Sequence, residues 1–239
     1  MNASTASCGS AGVVVPEIPP LEPGDCLPRD EFERRYGAMP QIKMAELIEG
    51  VVHMPLPVRH DYHGNPHSAL ICWFATYSAA TPGVSVGDNS SVRIDLDNVV
   101  QPDALLMIEA ARGGQARIDA DGFISGAPEL VGEISATSVS IDLNAKLRVY
   151  RRNQVREYIV WRVLDRAIDW FVLRQSEFVA LSPGPDGLLK SEIFPGLWLD
   201  VDALVRNELS TVLARLQEGI AGLDHAEFVA KLTAAQHPH

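Results

Sequence analysis

The run LVGEISA at residues 130–136 limits what this chain can build. Leu130, Val131, Ile134 and Ala136 make it a short apolar stretch, the mark of a strand buried on both faces. Such a strand needs a covering layer on each side, which points to a sheet flanked by helices. The same run carries Glu133 at its centre. A carboxylate buried without a partner is expensive. A cation, a metal or a solvent-filled cleft must compensate it.

The rest of the chain supplies strands and helices in mixed order. AELIEGVVHMPLP (45–57) reads as two short strands around Glu49-Gly50. Asn65-Pro66 marks a helix start, with Asn as cap and Pro at the first helical position. That helix should run through HSALICWFATYSAA, with Leu70, Ile71, Phe74 and Tyr77 on one apolar face. Strand-like segments VSVGD, SVRIDLD and DALLMI follow, then LVGEIS, a helix over 141–153 and the strand EYIVWRV. AIDWFVLR, EFVALS and LLKSEIF read as an antiparallel meander, and 201–220 as a C-terminal helix. The expected fold is α/β, one mixed β-sheet flanked by helices with a meander near the C-terminus. Residues 1–25, rich in Ala, Ser, Gly and Pro, read as an irregular arm, 26–205 as the main domain and 206–239 as a helical extension.

Two further residues answer Glu133. Asp103 opens the apolar strand DALLMI directly after Pro102. On the helix after Glu133, Leu143, Leu147 and Tyr150 form the apolar face. Lys146 borders that face, about 60° from its centre at roughly 100° per residue, and can lean over the sheet. Two carboxylates and a lysine from two strands and a facing helix make a metal-dependent hydrolytic site. Oxygen ligands suit Mg²⁺ or Mn²⁺, which lower the pKa of a bound water and offset charge on a transferring phosphate. A lysine can position or deprotonate that water and steady the developing charge. The expected geometry places Asp103 and Glu133 on one sheet face, within reach of a single cation.

With these residues in place, the chain resembles the Uma-type restriction endonuclease family of the PD-(D/E)XK nuclease superfamily. The matching stretches are AELIEGVV, the Pro-Asp of QPDALL, GAPELVGEIS, the Asp-Leu-x-x-Lys-Leu of IDLNAKLRVY, REYIVWRV and IFPGLWLD, spanning roughly residues 29–205. The resemblance implies a restriction-endonuclease-like fold and a metal-dependent endonuclease acting on nucleic acid, DNA above all. It implies that Asp103 and Glu133 are the metal ligands and that Glu46 assists the metal or the water. The superfamily pattern asks for Lys two residues after the second acid, and Ser135 stands there. In this family the following helix supplies the lysine, which Lys146 fits.

Each residue has a plainer reading. Asp103 suits a turn, Glu133 a structural salt bridge, Lys146 a snorkelling surface position, and Glu46 a solvent-facing strand. His60, His63 and His67 suggest metal ligands, but Pro66 argues against one continuous helix through all three. They are expected at a loop and a helix start, with His63 lining the cleft. The net charge of −11 argues against broad nucleic-acid binding. Residues 139–166 nevertheless hold Lys146, Arg148, Arg151, Arg152, Arg156, Arg162 and Arg166 against Asp142, Glu157 and Asp165. That segment is either a phosphate track or a solvated helix face. Trp161, Trp170 and Trp198 read as core rather than as base-stacking platforms. Cys8, Cys26 and Cys72 form no disulfide framework or Cys-x-x-Cys motif, as expected of a cytoplasmic protein. The longest apolar run, residues 69–75, is too short to span a membrane. The alternative function is a catalytically inactive nuclease-fold module for binding or assembly. In that case the apolar side of 201–220 would make a homodimer or pack on its own domain.

Overall fold

The computed structural model describes residues 18–54 and 60–235. The arm expected over 1–25 therefore lies mostly outside the described residues, as does the stretch 55–57 of AELIEGVVHMPLP. Helix α1 (Arg29–Gly37) precedes a hairpin of β1 (Glu46–Ile48) and β2 (Val51–His53). A π-helical turn at His60–Gly64 runs into α2 (Asn65–Ala80). Then come β3 (Val84–Asp88), β4 (Val92–Asp95), β5 (Asn98–Val100), β6 (Ala104–Ile108), β7 (Arg117–Ile118), β8 (Ile124–Ser125) and β9 (Leu130–Ser135). A second π-helical turn at Ile141–Lys146 leads into α3 (Leu147–Arg152). The chain continues through β10 (Glu157–Arg162), β11 (Ala167–Arg174), β12 (Glu177–Ala180), β13 (Leu189–Lys190) and β14 (Trp198–Leu199). It closes with α4 (Val201–Val205), α5 (Leu209–Ile220) and α6 (Leu223–Ala235).

The strands form two six-stranded mixed sheets, where the sequence suggested one. The first has the order β12-β11-β10-β9-β6-β3, with β9 and β10 parallel and the other neighbours antiparallel. The second has the order β2-β1-β5-β4-β8-β7, with β4 and β8 parallel. The strands of the second sheet are two to four residues long, too short for alternation to assign them to one sheet or two. LLKSEIF does not extend the meander: β13 pairs with β14 in a separate two-stranded sheet.

β9 is buried along its whole length, as its apolar run requires. Leu130 and Ile134 pack under α2 with Leu70, Trp73 and Phe74. Val131 faces the other way, into a core shared with the second sheet and α3. Gly132 lies opposite Ala104 on β6, and a Cβ there would come 3.0 Å from Leu70. This pair of small residues lets α2 settle on the sheet. α2 does not start at an Asn65 cap: Gly64 before it is already helical and the π-helical turn continues into it. The C-terminal helix is broken at Asn207, whose positive φ of 60° ends α4 before α5 begins. Leu204, Val212 and Leu216 are buried in the domain's own core.

Glu157, fully buried at the start of β10, latches the 191–193 segment. Its carboxylate accepts hydrogen bonds from Ser191 Oγ, Glu192 N and Ile193 N. Burial outweighs those donors and pushes its pKa up from 4.5 to about 7. Between those values the folded chain holds a proton that the unfolded chain has lost. Stability from this group is present at low pH and declines as pH rises towards 7, by at most about 3 kcal/mol. Gln in its place cannot ionise and can still serve all three partners. Urea unfolding of Glu157→Gln at pH 5 to 8 should show a flatter decline than wild type; an unchanged slope would place the titration elsewhere.

Candidate active site

Strand alternation sets the site. On β6 and just before it, Asp103, Leu105 and Met107 share one face, and Leu105 and Met107 lie in the core between the two sheets. On β9, Glu133 shares the face of Val131, which lies in the same core. The antiparallel pairing of Ala104 with Gly132 continues outward to set Asp103 opposite Glu133. Both carboxylates therefore rise from one end of the first sheet towards the second, as the sequence led us to expect. From the second sheet, Glu46 shares the face of Ile48 and points into the same core.

The π-helical turn at 141–146 brings in Lys146. A turn closed by i→i+5 bonds rotates the residues after it away from their positions on an α-helical wheel. Lys146 thus does not border the core but is buried in it, at 4% exposure. Its ammonium lies 3.0 Å from Glu133 Oε1, 3.0 Å from Glu46 Oε1 and 3.9 Å from Asp142 Oδ1. The hydroxyl of Tyr150 donates to the same Glu133 oxygen at 2.8 Å. Asp103 Oδ2 accepts from Ile134 N at 2.6 Å, so the backbone beside Glu133 pins Asp103. Glu46 Oε1 also accepts from Gln101 N at 2.8 Å. Ser135, where the superfamily pattern has lysine, turns its hydroxyl to Ser138 at 3.4 Å.

Three carboxylates thus gather around one ammonium, with Asp103 beside Glu133 on the neighbouring strand. Burial pushes the Glu133 carboxyl well above its usual range; Lys146 opposes this, while Asp142, Asp103 and Glu46 add to it. Burial would lower the Lys146 ammonium, but Glu133, Glu46 and Asp142 more than reverse that and hold it well above its usual value. Burial and Glu133 also raise the Tyr150 phenol. The carboxylate neighbours of Lys146 thus favour its ammonium form.

His67 stands in the first turn of α2 and His63 at the carboxylates, as expected, but no loop separates them. The π-helical turn joins α2 without a break, so His60, His63 and His67 lie on one helical run. Proline is tolerated in the first turn of a helix, and Pro66 sits where the wide turn meets α2. His63 Nε2 lies 3.0 Å from Asp103 Oδ1, and this bond raises the His63 pKa. His67 Nε2 lies 3.0 Å from the Asp103 carbonyl oxygen and 3.1 Å from Asp88 Oδ1. The two rings stack with centroids 5.7 Å apart. Among the described residues, no three His, Cys, Asp or Glu side chains form a ready-made metal cage.

Asp142 and Tyr150 complete the cluster, and neither stood out in the sequence. Asp142 is four residues before Lys146, the spacing of a helical ion pair, and a buried Tyr needs a partner for its hydroxyl. Four of the arginines in the basic segment 139–166 are paired with carboxylates. Arg148 pairs with Glu49, Arg151 with Glu177, Arg152 with Asp95 and Glu49, and Arg162 with Asp165 and Asp169. Trp161 and Trp170 are buried in the core, as expected.

Comparison with known proteins follows the same line. A family model described as "Uma2: Putative restriction endonuclease" matches residues 29–202. Among solved structures, the chain is similar to one described as "a putative nuclease belonging to DUF820 from Anabaena variabilis ATCC 29413". The two are 15% identical with a TM-score of 0.53, over 73% of this chain and 97% of that one. At that identity the likeness is one of fold. No curated protein matches the chain.

Proposed function

The chain belongs to the Uma2 family, and from that premise we propose that it is a metal-dependent endonuclease that hydrolyses phosphodiester bonds of DNA. The family and the nuclease-like fold support a nuclease. The observation that carries the finer reading is Lys146, an ammonium held 3.0 Å from both Glu133 and Glu46 beside a pinned Asp103.

The donor set suits a hard divalent ion. Mg²⁺ is held by one or two carboxylates, with waters and substrate phosphates completing its shell, so it needs no cage of protein ligands. The cluster carries more carboxylates than cations, and a divalent ion would balance the surplus. Asp103 and Glu133 would hold Mg²⁺ or Mn²⁺, and Glu46 would sit behind them. The ion, when bound, would supply an acidified water and charge neutralisation at the phosphate.

The chain's own groups divide the remaining work. Lys146, its ammonium form favoured by Glu133 and Glu46 at 3.0 Å, acts as a fixed donor and cation rather than as a base. It orients the attacking water and offsets charge gathering on the phosphate oxygens. Tyr150 and Lys146 together fix the Glu133 carboxylate, and the Ile134 amide fixes Asp103. Ser138 Oγ, donating to Asp142 Oδ2 at 2.6 Å, steadies the carboxylate behind Lys146.

A nuclease assay tests this, on supercoiled plasmid and single-stranded DNA at low salt with Mg²⁺ or Mn²⁺. Wild type should cleave; chelator and Asp103→Asn should each reduce cleavage at least ~100-fold, the scale of losing a group that stabilises transition-state charge. Cleavage that survives Asp103→Asn would sink the assignment. A folded protein that binds but never cleaves would favour the inactive binding or assembly module.

A further inference from the structure

Beside the carboxylates lies a groove that the hydrolytic reading leaves unused. It has a volume of about 460 Å³ and runs between β3 and the β7–β8 turn. Its floor is Leu105 and Met107, the next two residues along the face that carries Asp103. At roughly 7 Å per two strand residues, the groove starts one nucleotide's reach from the site. A hydrogen-bond thread ties the two together: Gln101 donates its amide N–H to Glu46 and its side-chain amide to Ser91, on the groove wall.

The groove's chemistry selects its occupant. Every residue lining it is uncharged, so it is not a phosphate site. Its walls combine apolar surface with the hydroxyls of Ser85 and Ser90. Phe123 and Ile118, at the turn above, are 38% and 57% exposed. The Arg93 guanidinium lies over the Phe123 ring at 4.2 Å and is itself tied to Glu33, Asp119 and Asp121. Arg93 lines the neighbouring hollow and not this groove, whereas Phe123 lines both. A neutral planar group with a polar edge fits such a place, and a nucleobase is that group. Gly87 lets Leu105 pack close against β3 in the groove floor; a Cβ there would lie 2.8 Å from the Leu105 side chain.

We propose that this groove takes an unpaired nucleobase beside the scissile phosphate, stacked on Phe123, and that the substrate is therefore single-stranded nucleic acid. The proposal rests on the nuclease reading above. A base inside a duplex is stacked and paired, and only an unpaired or extruded base can enter a side groove. It also answers the charge problem. With a net charge of −11 and the arginines of 139–166 largely paired, the chain gains little from displacing counterions. Stacking on an aromatic ring gives affinity without positive charge.

The test is fluorescence anisotropy with labelled 12-mers, DNA and RNA, single strands and duplexes, with Ca²⁺ as the divalent ion. Single strands should bind at least ~10-fold more tightly than duplexes. Phe123→Ala should weaken single-strand binding by about 10-fold, the scale of one lost base stack, and leave duplex binding unchanged. Phe123→Trp should restore it. Phe123 is partly exposed, so truncation spares the core, and an unchanged melting temperature verifies this. The tighter of the DNA and RNA arms names the polymer. Equal binding of duplex and single strand, or indifference to Phe123→Ala, overturns the proposal. The two readings fail separately. Metal-dependent cleavage blind to Phe123 removes the groove and keeps the nuclease. Phe123-dependent binding without any cleavage does the reverse.

Discussion

Glu133→Gln should abolish cleavage while leaving the protein at least as stable as wild type at pH 8 in chelator. The activity loss follows from the proposed ligand role. An amide is a poor partner for a hard cation, and a fall of ~1,000-fold or more is expected from losing a transition-state charge stabiliser. The stability result follows from the sign of the pKa shift. Burial raises the folded pKa of Glu133 far above the unfolded value, so the folded state prefers the protonated form. Stability from this group is present below the unfolded pKa and is lost as pH rises towards the folded one. Gln mimics the protonated form at every pH, and its carbonyl can still accept from Lys146 and Tyr150, as Glu133 Oε1 does. Lys146 also keeps Glu46 and Asp142. Calorimetry in chelator reads this directly. A melting temperature more than ~5 °C below wild type, above 1 kcal/mol for a chain of this size, would mean that Lys146 depends on Glu133 alone.

Lys146→Met should be the most destabilising single change at the site. Removing the ammonium leaves Glu46, Glu133 and Asp142 facing one another in a core where each is under 10% exposed. Breaking a buried pair by deleting one partner costs about 3–5 kcal/mol, and here three carboxylates lose the same partner. At 2–4 °C per kcal/mol, the melting temperature should drop by roughly 10 °C. Cleavage should vanish as well, but a destabilised variant can lose activity for trivial reasons. The double variant with Glu133→Gln separates the two effects. It should regain part of the lost stability, because one of the stranded charges is gone, and stay inactive. Two stability losses that simply add would contradict a shared charge cluster.

Particular residues show how far the sequence could be read. Asp103 and Glu133 were legible as site candidates from their apolar strands and the family resemblance, but the pairing of those strands came only with the sheet. The approach of Lys146 was legible from the helical pattern after Glu133, but its depth was not. An α wheel put it at the border, and the π-helical turn carried it inside. The same kind of turn replaced the loop expected at His60 and His63, since Pro66 looked like a barrier and proved to be near the start of one helical run. Glu46 entered through the family resemblance. Its own three-residue strand says nothing about which sheet it joins.

By itself, the sequence determined the local elements and the parity of their side chains. It determined β9 as a strand covered on both faces, Glu133 as a charge in need of a partner, and Asp103 as a carboxylate at the start of another apolar strand. Those properties depend on residues close together in the chain and on backbone periods that do not vary. Only the tertiary structure decided that the short strands form a second sheet and that Glu46 reaches the cluster from it. It also decided that His63 meets Asp103 and that most arginines of 139–166 face carboxylates from other elements. Such contacts join residues distant in sequence. Their energies exist only once two layers have packed, and no local pattern encodes which partner will be there.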